Sequence, residues 1–214
     1  MTTRDLSRTP VRSGRTQETG QLAGVLARAF EDDPVSAFVL PDRSTRRRRL
    51  EALYRLLFVP DALRDDGCYT TADRGCVALW KPADAPRPSL LEALRLAPGL
   101  ARVLGRQTPR ALRVLTYMEA QVPRKPHAHL VLLGTDPRWQ GQGLGSLVLR
   151  ETLAPLDRER VPAYLEASTP RSRALYLRHG FAVMNEVRLP GGGPPLWRMW
   201  RDPQGSGVIE DSRG

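Results

Sequence analysis

A chain of 214 residues is long enough for one domain with a substantial core plus an insertion and loose ends, and too short for two comfortable independent domains. Hydrophobic residues make up 41% and charged residues 26%, no apolar run approaches the roughly 20 residues that span a bilayer, and Met1 to Arg15 lack the apolar centre of a secretory signal. A cytoplasmic protein with no membrane partner is expected. The net charge of +10 comes almost wholly from Arg, with Lys only at Lys81 and Lys125, a skew that fits GC-rich coding as well as phosphate binding, so nucleic acid is not the expected partner.

Residues 1–8 and 203–214 carry too little apolar surface to offset the entropy of ordering and are expected to be disordered tails around one domain at 9–202. A short strand near Pro10 to Arg12 leads into a helix from about Thr16 to Phe30, with Leu22, Val25, Leu26, Ala29 and Phe30 on one stripe. Pro34 and Pro41 bracket a short helical turn. The run Arg46-Arg47-Arg48-Arg49 then opens a helix to about Val59, and the arginines are expected to cover its solvated start.

Cys68 to Thr71 and Cys76 to Trp80 read as a hairpin across Ala72-Asp73-Arg74-Gly75. Its two cysteines are expected to be reduced, half-buried thiols, because no other Cys and no well-spaced His completes a metal-ligand set. From 83 to 122 the pattern becomes Pro-punctuated and Leu-rich, which predicts a helical insertion of three pieces at about Ser89–Ala97, Gly99–Gly105 and Thr108–Gln121.

The last third alternates: strand Leu130–Thr135, helix Gly143 to about Leu156, strand Ala163–Ser168, helix Arg171–His179 stopped by Gly180, then a hairpin of Phe181–Leu189 and Leu196–Arg201. The fold class is α/β or α+β, a mixed central sheet with flanking helices.

Between a strand and a helix lies Gln140-Gly141-Gln142-Gly143-Leu144-Gly145. Free amides and the positive end of a helix dipole make such a place a phosphate site, and glycines let a bulky pyrophosphate reach the backbone. A Walker loop is excluded because no Gly-Lys-Ser/Thr follows. A dinucleotide fold fits poorly, since Asp136 to Trp139 intervene and Ser146 takes the third glycine position, although Glu166 lies where a ribose-binding acid would.

The wider pattern is more specific. Leu133-Gly134-Thr135-Asp136-Pro137-x-x-Gln140-Gly141-x-Gly143-x-Gly145, then Tyr164-Leu165-Glu166-Ala167-Ser168 and Leu175-Tyr176-x-x-His179-Gly180-Phe181, resembles the GNAT superfamily of N-acetyltransferases over roughly 126–190. The resemblance implies acetyl-CoA, its pyrophosphate on the amides of Gly141, Gln142, Gly143, Leu144, Gly145 and Ser146 beside Gln140, and its pantetheine arm along Leu133, Gly134 and Thr135. Ser172 stands where relatives carry an Asn that bonds this arm, and Tyr176 matches a tyrosine that protonates the leaving thiolate. A backbone N–H near Leu133 would hold the oxyanion.

Glu166, a carboxylate in an apolar strand, is a candidate base through water, or else the partner of a buried Arg. His129 alternates toward the acceptor side as base or substrate contact, and Trp80 is a second candidate lining residue. The expected acceptor is a small-molecule primary amine, such as an antibiotic or aminonucleoside. A protein amino terminus or lysine, and a non-catalytic basic module on the same scaffold, stay open as alternatives, and a homodimer is compatible with each.

Overall fold

The computed structural model describes residues 9–83 and 90–205, of 90–94 the backbone alone. Seven strands form one sheet: β1 (Val11–Ser13), β2 (Cys68–Thr71), β3 (Cys76–Lys81), β4 (Ala128–Thr135), β5 (Ala163–Ala167), β6 (Ala182–Arg188) and β7 (Pro195–Arg201). Their spatial order is β1-β2-β3-β4-β5-β7-β6, and every neighbouring pair is antiparallel except β4 and β5, which run parallel.

Alternation along the strands divides the core in two. Cys76, Ala78, Leu130, Ala163, Leu165 and Met199 pack with residues of α7 (Leu144–Arg158) and α8 (Pro170–Leu177). On the opposite face Val77, Leu79 and Leu132 pack with α1 (Thr19–Ala29), α3 (Arg43–Leu53), α4 (Val59–Arg64) and α5 (Leu90–Leu104). Fully burying one such Leu contributes about 1.5–3 kcal/mol. A third cluster joins α2 (Pro34–Val39), α6 (Thr108–Gln121) and the β6–β7 connection through Phe38, Val114, Leu189 and Leu196.

The feature that shapes the site is in β4. Leu79 pairs with Leu132 and Trp80 with Leu130, which leaves Val131 as the extra residue of a bulge. Bulges bend a strand and sharpen its twist. The β4–β5 ladder accordingly runs only from Ala128↔Ala163 to Leu130↔Leu165, and beyond Val131 the two parallel strands part.

Several expectations need correction. Arg46 does not cover a solvated helix start: it is 7% exposed, and its Nε, Nη1 and Nη2 donate to the carbonyls of Leu40 (2.7 Å), Glu31 (3.0 Å) and Pro41 (3.0 Å). Only a planar, five-donor group can gather three carbonyls of one bend, so a buried Arg ties the 31–41 segment down. The helix it belongs to passes Val59 as well, because a π-turn at Tyr54–Phe58 absorbs the bond that Pro60 cannot make and α4 continues to Arg64.

The break expected at Pro98 is absent. A single helix α5 spans Leu90–Leu104, with Gly99 so close to the π-turn that a Cβ there would meet Leu56 Cδ2 at 2.9 Å. Packing outweighs the lost helical bond. β4 begins at Ala128, two residues before its expected start. Of the C-terminal tail, Gln204 donates its N–H to Asp157 Oδ1 at 2.8 Å. Residues 1–8, 84–89 and 206–214 lie outside the described chain.

Candidate active site

From the end of β4 the chain turns at Asp136, 1% exposed, whose carboxylate caps a short 3₁₀ turn at Pro137–Trp139 and accepts from Arg138 Nε (3.0 Å) and Arg28 Nε (2.9 Å). Burial would raise this carboxyl, but the hydrogen bonds from the Arg138 side chain and backbone and from Arg28 overcome it and hold it at about 2. Gln140 Nε2 donates to the Thr135 carbonyl (3.1 Å) and Gln142 Nε2 to that of Arg138 (3.4 Å), so both side chains brace the loop.

Gly141 and Gly143 have φ of +80° and +83°, a region that other residues enter only with strain. Helix α7 then starts without a side-chain cap, so the amides of Leu144, Gly145 and Ser146 are the free donors of its first turn. This start stands beside β4: a Cβ on Gly145 would lie 3.9 Å from Thr135 Oγ1 and 4.0 Å from Leu133 Cδ2. Uncapped amides, glycines without Cβ atoms and a strand edge with no neighbour fit a pyrophosphate followed by an amide-bearing arm. Gly134 has a different reason to be glycine, since a Cβ there would meet Leu26 Cδ2 at 2.9 Å and Ala29 Cβ at 3.0 Å, where α1 crosses.

Tyr176 projects from α8, 6% exposed and edge-to-face with Phe181 at 5.9 Å. Burial, with the Cys76 thiol and the Asp33 carboxyl close by, raises its phenol well above the usual value, and among the described residues the hydroxyl has no hydrogen-bond partner. Ser172 lies in the first turn of the same helix, where its hydroxyl donates to the Thr169 carbonyl (2.9 Å) within a reciprocal cap. Its single proton is thereby engaged.

Glu166 and His129 come together on the other face of the sheet, at the last rungs of the β4–β5 ladder. Glu166 Oε2 and His129 Nε2 are 2.9 Å apart, with side chains 7% and 17% exposed. The partner of this carboxylate is therefore a histidine, and the buried Arg considered as its partner is one residue removed: Tyr164 Oη donates to Glu166 Oε1 (2.9 Å) and accepts from Arg198 Nε (3.2 Å). Trp80 does not join them, because it is 5% exposed in the core that faces α7.

Residues 109–181 match the model of the acetyltransferase (GNAT) family. That segment is similar to the GNAT acetyltransferases. Proteins of this family are acetyl-CoA-dependent N-acetyltransferases. The fold is similar to that of a solved histone acetyltransferase HPA2 and related acetyltransferase from Corynebacterium glutamicum, at 23% identity and a TM-score of 0.67 over 94% of this chain and 99% of that one. A polyamine N-acetyltransferase of Drosophila melanogaster that forms N-acetylagmatine aligns at 16% identity and 0.59, covering 91% and 99%. Arylalkylamine N-acetyltransferase 2 of Aedes aegypti aligns at 12% and 0.55, covering 92% and 100%. At these identities the likeness is one of fold.

Close to Tyr176, sequence reasoning missed Asp33. Its Oδ1 caps α2 by accepting from Val35 N–H (2.9 Å) and Ser36 N–H (3.2 Å), while Ser168, just past β5, donates to its Oδ2. Burial raises this carboxyl against those hydrogen bonds. The pair Asp33-Pro34 was legible as a helix start, but its proximity to Tyr176 is a product of tertiary packing. A cleft of about 530 Å³ between Arg28, Arg47 and Arg138 shares no lining residue with Tyr176 or with the His129–Glu166 pair, and its guanidinium groups are already turned on Asp136 and Glu31. No helix among the described residues is long and apolar enough to cross a membrane.

Proposed function

We propose that the chain transfers the acetyl group of acetyl-CoA to a primary amine of a small molecule, by direct attack with both substrates bound. The observation that carries this reading is the opening where β4 leaves β5: it runs to the free amides of α7, with Tyr176 on one face and the His129–Glu166 pair on the other.

Bound there, acetyl-CoA supplies an activated acetyl thioester. Leu144, Gly145 and Ser146 would hold the phosphates through their amides, and the free edge of Leu133–Thr135 would pair with the arm. A backbone N–H near Leu133 would stabilise the negative charge that develops on the acetyl oxygen. Tyr176, which burial keeps protonated, would supply the proton that the leaving thiolate needs. His129, oriented by Glu166, accepts the proton that the incoming ammonium must lose.

The acceptor side supports a small amine over a protein chain. Helix α6 is fastened across it: Val114 packs with Leu189 and Leu196, and Arg110 both lies over the Phe38 ring at 5.2 Å and donates to the Phe38 carbonyl at 3.0 Å. A wall fastened in this way favours a compact acceptor over an extended peptide. Two of the solved neighbours are named for polyamine and arylalkylamine acceptors. The layout at Ala29-Phe30 to Pro34, Val77 to Trp80 and Pro126 resembles puromycin N-acetyltransferase, which makes an aminonucleoside the first acceptor to try, and the reaction belongs in the cytoplasm where acetyl-CoA is made available.

The test is thiol release from acetyl-CoA over a panel of aminonucleosides, arylalkylamines, polyamines and lysine peptides, beside calorimetry with acetyl-CoA alone. Turnover with a small amine and not with peptides is expected. No cofactor binding and no turnover would sink the reading; peptide-selective turnover would replace its acceptor.

A further inference from the structure

Behind Glu166 stands a pair of residues with no part in the proposed transfer itself. Tyr164 is 0% exposed, yet its hydroxyl sits between two polar partners. Arg198 lacks any acceptor atom, so at their 3.2 Å contact it must be the donor and the Tyr164 oxygen the acceptor. The tyrosine has one proton, and it is thereby aimed at Glu166 Oε1, 2.9 Å away. Glu166 must then accept at Oε1, which leaves Oε2, 2.9 Å from His129 Nε2, to face the imidazole.

Two proton arrangements are open to an isolated Glu–His pair, one with the proton on the carboxyl and one with it on the ring. A donor at Oε1 backed by a guanidinium favours the carboxylate. We infer that Tyr164 and Arg198 are positioning residues that fix His129 as its Nε2–H tautomer, so that Nδ1, without a partner among the described residues, is the basic nitrogen. This rests on the reading of His129 and Glu166 as the proton-accepting pair. In the step, an N–H bond of the acceptor ammonium breaks, Nδ1–H forms, and the imidazolium so made is balanced by the Glu166 carboxylate before its proton passes to solvent.

The direction of transfer is one-way because each donor in the row has no alternative. Arg198 is itself anchored, Nη2 donating to the Gln121 carbonyl at the end of α6 and Nη1 to Asn185 Oδ1 (3.3 Å), so the insertion helix also sets where Tyr164 points. The other ionisable groups facing the pair are His127, whose ring lies 6.2 Å from that of His129, and Lys81, opposite His129 in the β3–β4 register, with Asp61 of α4 close to that lysine. Lys125 is turned onto the Trp200 ring at 5.4 Å.

The experiment uses the full chain and two readouts. In kcat/KM against pH, His129→Gln is expected to abolish the acid limb. Tyr164→Phe, an isosteric change, leaves the whole carboxylate charge facing the imidazole and should move that limb up by about 0.5–1 pH unit, whereas Glu166→Gln removes the charge and should move it down. Arg198→Lys, which loses the planar Nε–H, should give part of the Tyr164→Phe shift, and KM for acetyl-CoA should stay within about twofold in all four. Independently of turnover, ¹⁵N shifts of His129 should report a single Nε2–H tautomer in the parent chain and a mixture in Tyr164→Phe. A lowered kcat with an unmoved limb and an unchanged tautomer would overturn the inference while leaving His129 as base. An acid limb that survives His129→Gln would overturn the base reading instead, and the tautomer measurement still decides the inference.

Discussion

The proposed cofactor side and the proposed proton-accepting side of this site are built in opposite ways. The first is nearly one stretch of chain, from Leu133 to Ser146, in which a bulged strand, a tight turn with two left-handed glycines and an uncapped helix follow one another. The second is assembled from β4, β5 and β7, with α6 behind it, and its working contacts join residues 129 to 166, 164 to 198 and 198 to 121. A local site survives drift elsewhere in the chain as long as its own turn is kept. A dispersed one depends on the sheet order that brings β7 beside β5.

That contrast can be broken deliberately. The largest effect belongs to His129→Ala: kcat should fall about 10²–10⁴-fold while acetyl-CoA affinity, measured by calorimetry, stays unchanged, because no contact with the glycine turn is lost. Gly143→Val should do the reverse. A β-branched residue at φ +83° reshapes the turn, and acetyl-CoA affinity should drop on the order of 100-fold with the His129 tautomer intact. Were either variant to impair both functions equally, the two sides would not be separable.

Two further changes probe the supports. Arg46→Met strips three carbonyls of the 31–41 bend of their donor and should lower unfolding free energy by about 2–4 kcal/mol in urea, with the urea m-value retained. Asp136 brings a pH dependence. Its folded value of about 2 lies below the unfolded value near 3.9, so its contribution is fully present above about pH 4 and fades as pH falls toward 2. A loss of about 1–2 kcal/mol over that window, absent from Asp136→Asn, is the expected result of urea titrations at several pH values. Smallest is Ser172→Ala, where losing half of a reciprocal cap should cost about 0.5–1 kcal/mol and change acetyl-CoA affinity less than about threefold, since the hydroxyl is bonded to Thr169.

The same division explains what the sequence disclosed. The order of strands and helices from 128 onward was legible because each has its own periodicity and punctuation, and the glycine turn was legible because left-handed backbone and close approach both demand glycine. Glu166 stood out as a charge in an apolar strand. Its partner did not, because Tyr164 reads as an ordinary core aromatic and Arg198 as one more arginine in an Arg-rich chain. Arg46 was misread for the same reason: in a run of four arginines, only the bend it captures distinguishes it from its neighbours. Pro98 misled in the other direction, since a breaker's local cost was outweighed by α5 packing on α3 and the π-turn.

The extra residue at Val131 has one more effect. It reverses the parity of β4: Ala128 and Leu130 face α7, yet past the bulge the residues on that face are the odd-numbered Leu133 and Thr135, with Leu132 and Gly134 turned toward α1. Deleting Val131 would therefore remove the bend that parts β4 from β5 while leaving each pair from Leu132↔Leu79 to Thr135↔Cys76, and the face of each residue, as it is. The strand is a phase shifter, and the histidine below it and the cofactor edge above it are keyed to opposite phases.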